Sequence, residues 1–333
     1  MSEADNARVW PADRRGTYEV WYTTWNDPVS GDGYWLRYLI EQPLEGDARG
    51  ELWFARFDPA RPARTFGIHR HFAIGAVASD GARLRIGAAE FAHDHAKGSL
   101  AGDGHDVRWD LRWEPAAKTL RHLPDVMYAR GGLGETTVHS PNPRVPLSGT
   151  LVIDGERVVF DRAIAGQSHV WGKKHGYSWT WGRCAEFQGS DALLELLAVR
   201  LQRRGRVLPP LALVALDWEG ESHRFTQFRH TIANRATWRV GETAFSAWSP
   251  RLRIEGTLTC TPEQMVNAPY LDPDGTEVFC ANTEIGDAKL VIYRRRGLGW
   301  QEAATLVGPG RAHFEIGGRA ADPSVRAQHV LVA

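Results

Sequence analysis

The chain has 333 residues, and its 40 basic and 40 acidic side chains cancel to a formal charge of zero. That balance removes the one-signed field that nucleic acid or an anionic membrane surface demands, so neither partner is expected. The length exceeds the range in which one hydrophobic core keeps growing, and two domains are expected.

In chain order, the N-terminal stretch MSEADNARVWPADRRG is polar and has no apolar signal region. No apolar run further on approaches the roughly 18 residues of a membrane span. A cytoplasmic protein without an integral membrane segment is therefore expected. Period-2 alternation bounded by Gly, Pro and Asp then appears in GYWLRYLIEQP (33–43), GELWFARFD (50–58), GARLRIGAAEFAHD (81–94) and HDVRWDLRWEP (105–115), each a strand signal. Residues 121–147, with three prolines in SPNPRVP, read as an extended connector. GTLVIDGERVVFD (149–161) carries Asp154-Gly155, a two-residue hairpin signal.

DALLELLAVRLQRRG (191–205) has leucines at both helical and strand spacing, and a strand is the preferred reading. LALVALDWEG (211–220) reads as its returning strand. RLRIEGTLTC (251–260), AKLVIYRRR (288–296) and RAHFEIGGR (311–319) complete the pattern. Many short strands with closely spaced turns, in a chain with 34 glycines and 14 tryptophans, imply an all-β protein built from barrels or sandwiches. The three cysteines, Cys184, Cys260 and Cys280, lack metal-ligand spacing and read as reduced thiols.

Three groups of residues can carry chemistry. In GQSHVWGKKHGYSWTWGRC (166–184), extended backbone puts His169 and Trp171 on one face, and Tyr177, Trp179 and Trp181 on one face of the next strand. Such a wall can be a packed aromatic core layer, or the lining of a cavity that offers indole N–H groups to a ligand. The His-x-His pairs His69/His71 and His93/His95, with Glu90 or Asp94 nearby, resemble metal ligand sets of small barrels. Solvent-facing histidines are the simpler reading of them, and no metal is expected. Glu195, Glu284 and Glu315, the last two residues from His313, are acids in apolar surroundings, where a carboxyl without a cation has a raised pKa and can donate a proton. LGETTVHS (133–140) brings a Ser and a His together without a nucleophile elbow, and nucleotide-binding glycine motifs are absent.

In order along the chain, HDVRWDLRWEP, LRHLPDVMY, HSPNPRVPLSGTLVIDGERVVF, GQSHVWGKKHGYSWTWGRC and RAHFEIGGR resemble the two-barrel lipocalin-like superfamily. That superfamily includes carotenoid hydratases, tocopherol cyclase-like proteins and lipocalin-like Diels-Alderases. The resemblance covers roughly residues 15–320, and its most specific part is His169-x-Trp171-Gly172 followed by Trp179-x-Trp181. It implies two tandem lipocalin-like β domains, 1–177 and 178–333, holding a hydrophobic small molecule within or between them. It implies hydration or cyclisation of an isoprenoid or polyketide-like alkene without metal or organic cofactor, the alternative being a non-catalytic carrier or sensor of the same ligand.

On this reading His169, Glu195 and Glu315 are the catalytic candidates, and Trp171, Tyr177, Trp179, Trp181 and His313 contact substrate. In the hydratases the strand after the double-Trp stretch carries a Tyr-x-Asp type pair, whereas ALLELLAVRL has neither residue and offers only Glu195. Carotenoid hydration in particular is disfavoured by that departure.

Overall fold

The computed structural model describes residues 2–128, 135–325 and 329–332. Two large antiparallel sheets dominate it. The first is built on β1 (Thr17–Asn26), β2 (Gly33–Gln42), β3 (Arg49–Phe57) and β4 (Phe66–Ala73) on one side. On the other side lie β5 (Thr136–Ile153) and β6 (Glu156–Gly172), followed by hairpins from residues 77–113. Its spatial order is β4-β3-β2-β1-β6-β5, and the strand His329–Val332 returns to pair in parallel with β4. The second sheet is built on β7 (Ser178–Cys184), β8 (Leu193–Arg200), β9 (Leu211–Trp218), β10 (Val266–Leu271), β11 (Glu277–Arg296) and β12 (Gly299–Gly318). Its central order is β9-β8-β7-β12-β11. No helix among the described residues is long and apolar enough to cross a membrane.

Each sheet curls around its own apolar interior. In the first, Trp25, Leu36, Tyr38, Phe54, Trp109 and Leu147 share one buried cluster; in the second, Leu194, Leu196, Val214, Ile254, Leu290 and Phe314 share another. Strand parity then decides what lies outside. β2 is buried on both faces: Leu36, Tyr38 and Ile40 fill the first interior, while Trp35 packs with Trp53, Trp179, Val266, Val278 and Cys280 in a third cluster between the sheets. The site described below lies at this contact of two outer faces.

The hairpin at 154–155 forms as the sequence indicates, with Ile153 paired to Glu156 and φ of 53° at Asp154 and 85° at Gly155. Residues 191–205 supply a strand, β8. The connector expected over 121–147 is corrected in part: it contains a 3₁₀ turn at Asp125–Tyr128 and then the first half of β5, while residues 129–134 lie outside the described residues. Pro141 and Pro143 fit within β5 because its pairing with β6 shifts register between His139 and Asn142 and again between Asn142 and Val145. Bulges of this kind free a strand position from the N–H that proline lacks.

Candidate active site

Between the sheets lies a cavity of about 300 Å³, at the lower end of the size range of ligand pockets. From β1 and β2 come Tyr18, Val20, Tyr22, Trp35 and Arg37; from the second sheet come Trp179, Trp181, Leu197, Val199, Asn282 and Glu315. Alternation accounts for both sets. Tyr22 lies across from Arg37 in the β1–β2 register, and Trp181 lies across from Glu315 in the β7–β12 register, so each pair shares a face. Tyr22 meets Trp181 edge to face with ring centroids 5.6 Å apart, closing the two walls upon each other.

Glu315 is a carboxyl of this cavity, and Glu135, paired with Arg203, is another. The Oε1 of Glu315 accepts the indole N–H of Trp179 at 2.7 Å, and its Oε2 accepts the thiol of Cys280 at 3.3 Å. Burial pushes the Tyr22 hydroxyl, the Cys280 thiol and the Glu284 carboxyl well above their ordinary ranges. Gly317 lets the Trp179 ring reach its place, since a Cβ there would lie 2.1 Å from the indole.

One end of the cavity is bounded by His175, which the sequence reading passed over as part of a turn. Its ring stacks on Tyr18 and Trp179 at 4.7 and 5.2 Å. Asp272 fixes it through Nδ1 at 2.6 Å and through the backbone N–H at 3.0 Å. Burial works against the Asp272 carboxylate, but the hydrogen bond and charge of His175 and the Arg319 guanidinium more than offset it, and its pKa lies below the usual range.

The structure separates the residues that the sequence grouped together. Trp179, Trp181 and Glu315 line the cavity. Glu195 is 1% exposed and lies behind Trp181: its Oε2 accepts from the Trp181 indole at 3.3 Å and lies 3.1 Å from His122 Nε2, while its Oε1 lies 3.3 Å from Arg183 Nε. Arg183 in turn reaches the carbonyls of Pro143 and Ala165, passing over Gly166, where a Cβ would occupy the guanidinium position. Glu195 thus anchors an indole and a clamp between the sheets. His313 is on the Glu315 face of β12 but is occupied by Thr24 at 2.8 Å and Asn26 at 2.7 Å, with Glu284 at 3.2 Å. Burial, with the Arg183 and Arg311 charges, holds its pKa well below the ordinary value.

Tyr177 precedes β7, with its backbone N–H bonded to Arg200, and its side chain is not part of the cavity wall. His169 and Trp171 do share a face, as parity requires, but it is the face opposite Val170, which lines the cavity. His169 is fully buried under the N-terminal segment, stacked on Trp21 at 4.7 Å, with Nε2 2.9 Å from Glu19 and Nδ1 2.8 Å from the Asp5 carbonyl. Asn6, Asn142 and Gln167 continue this network, and the Trp21 indole donates to the Asn6 carbonyl at 2.9 Å. The segment Ser2–Asn6 therefore plugs one end of the first barrel, with every ring nitrogen of His169 engaged.

The two His-x-His pairs have different carboxylate partners, and the expected Glu90 and Asp94 hold for one pair only. Glu51, not Glu90 or Asp94, joins His69 and His71, with ligand-type atoms within 4.8 Å of one another. Its carboxylate is already held by Arg49 at 3.0 Å, His71 at 3.1 Å and the Trp53 indole at 2.9 Å. Glu90 and Asp94 instead flank His95 at 2.8 and 2.7 Å.

Two curled sheets with a cavity at their junction define a lipocalin-like two-barrel protein. The chain belongs to the tocopherol cyclase-like family, whose model matches residues 15–318. It is similar to an uncharacterized protein of Mycobacterium tuberculosis, 28% identical over 321 residues that make up 93% of this chain and 89% of that one. It is also similar to the probable chloroplastic tocopherol cyclase of Oryza sativa subsp. japonica, 24% identical over 62% of this chain and 47% of that one, so it spans about half of the plant protein. Among solved structures, kievitone hydratase from Nectria haematococca shares the fold with a TM-score of 0.53 at 9% identity, covering 95% of this chain and 91% of that one.

Proposed function

We propose that the protein is an enzyme that closes a ring on, or adds water to, an alkene of a lipophilic isoprenoid or polyketide-like molecule held between the two barrels. The observation that carries this reading is Glu315, a carboxyl fixed by Trp179 and Cys280 in a cavity whose walls are largely aromatic and aliphatic. Family membership and the names of two relatives, a cyclase and a hydratase, support it.

In the proposed reaction the Glu315 carboxyl gives its proton to one alkene carbon. The cation left on the neighbouring carbon meets the π faces of Tyr22, Trp179 and Trp181, each worth about 0.5 to 2 kcal/mol when well placed. An internal hydroxyl or a water then adds to the cation, and its proton returns to the carboxylate. The sum is an isomerisation or a hydration with no change of oxidation state. Residues that the sequence offered as acids take other roles here: Glu195 positions Trp181, and His169 belongs to the plug.

Incubation of the purified protein with a prenylated phenol bearing a trisubstituted alkene tests this, with products read by mass spectrometry. A product of unchanged mass and new retention indicates ring closure, and one heavier by a water indicates hydration. Recovery of a bound but unchanged molecule instead supports the carrier reading.

A further inference from the structure

Arg37 sits in the middle of β2 with 4% of its surface exposed, and it is part of the cavity wall. Other cations at the cavity have carboxylate partners: Lys174 pairs with Asp274 at 2.5 Å and Arg203 with Glu135 at 3.0 Å. Arg37 has no ion pair among the described residues, and its Nη1 is buried without an acceptor. The rings around it are aromatic, with the guanidinium carbon 4.2 Å from the Tyr270 ring centroid, 5.5 Å from Trp53 and 5.9 Å from Trp35, while Glu41 and Glu51 feel its charge without pairing with it.

This arrangement is incomplete in a specific way. A guanidinium stays protonated in any protein environment and carries five N–H donors in a planar fork. Ring faces attract the charge but provide no lone pair in the plane of that fork. A buried charge-bearing donor without an acceptor is costly, and one kept in a native fold calls for a group that completes it, a water, an ion or a ligand. The fork matches a carboxylate, which accepts two parallel N–H bonds. Of the carboxyls on the same cavity, Glu315 is taken up by Trp179 and Cys280 and Glu135 by Arg203. Asp272 is taken up by His175 and by Arg319 at 3.5 Å.

Resting on the reading of this cavity as the ligand site, we infer that its natural ligand is a lipophilic carboxylic acid whose carboxylate is bound by Arg37 between Trp35 and Tyr270. Its apolar body lies along Tyr22, Trp181, Leu197 and Val199. The aliphatic half of the wall excludes a small hydrophilic anion as the preferred occupant, because such an anion would leave those side chains facing water.

The test is calorimetric titration of the full chain at pH 8 with farnesoic acid and with farnesol, which share one isoprenoid chain and differ in the head group. The acid is expected to bind about tenfold more tightly than the alcohol, the size of one charged hydrogen-bonded contact. Arg37→Met is expected to bring the two affinities together by weakening the acid alone, and Arg37→Lys to keep part of the preference. Equal binding of acid and alcohol to the wild type overturns the carboxylate assignment and leaves the cavity reading standing. Binding of neither overturns both. If Arg37→Met does not fold, the wild-type pair and Arg37→Lys decide.

Discussion

Trp179 and Glu315 are joined by one hydrogen bond, 2.7 Å from indole Nε1 to carboxylate Oε1, across neighbouring strands of the second sheet. The bond fixes a carboxyl group and an aromatic face relative to each other, as the proposed reaction through a cation requires. Glu315→Gln keeps the size and one acceptor for Trp179 but removes the exchangeable carboxyl proton. Turnover is expected to fall by about 10² or more, the usual weight of a general acid, with ligand affinity changing by less than about fivefold. Single-turnover rates beside equilibrium titration separate the two quantities, and equal losses in both would assign Glu315 to binding.

Gly317 tests the same pair sterically, without touching either polar group. A methyl there meets the Trp179 ring at 2.1 Å, so Gly317→Ala must displace the indole or the strand. Overpacking of this kind costs about 1 to 3 kcal/mol. Loss of activity is expected alongside a lowered Tm, whereas Gly155→Ala, in a distant turn, is expected to lower Tm through its positive φ and leave turnover per folded molecule unchanged.

How much of this was legible beforehand follows from what parity encodes. Alternation in GYWLRYLIEQP and in the double-Trp strand gave the sheets, and it grouped His169 with Trp171 and Trp179 with Trp181 correctly. It does not say which face of a strand looks into a barrel and which looks at the neighbouring barrel. Hence His169 and Trp171 were grouped with the cavity although Val170, between them, lines it. Tyr22, Arg37 and Tyr270 went unnoticed because each sits in an ordinary strand, and only the second sheet makes a site of them. Arg37 left one readable trace: a charge in the centre of the apolar run WLRYLI. The first two prolines of SPNPRVP misled for a local reason, since bulges let β5 absorb them.

The N-terminal plug yields a prediction that separates stability from chemistry. Deleting residues 2–6 strips Gln167, the Trp21 indole, His139 and His169 of partners inside the first barrel. Each buried polar group left unsatisfied costs about 1 to 3 kcal/mol. His169→Ala is expected to do the same on a smaller scale. Both are expected to lower the urea midpoint while the folded fraction retains its ligand affinity, measured at a temperature well below the transition. A loss of affinity per folded molecule in His169→Ala, with unchanged stability, would return His169 to the site.

The plug also has a pH signature. Burial, with the neighbouring His169 second, lowers His139 from 6.5 to about 3 in the folded state, although its bond to the Asp5 carbonyl opposes this. The unfolded chain takes up a proton near pH 6.5 and the folded one does not, so this group's contribution to stability declines as pH falls from about 6.5 towards 3. The limiting slope for one group is about 1.4 kcal/mol per pH unit. Glu41, raised by burial from 4.5 to about 7, works with the opposite sign between those values, because there the unfolded chain has given up the proton that the folded one keeps. The clean observable is therefore a difference between proteins. His139→Gln keeps a donor for the Asp5 carbonyl but cannot titrate. Urea unfolding of wild type and variant between pH 7.5 and 5 is expected to show the wild type losing stability relative to the variant below pH 6.5. Parallel curves would mean that folding leaves the pKa of His139 unchanged.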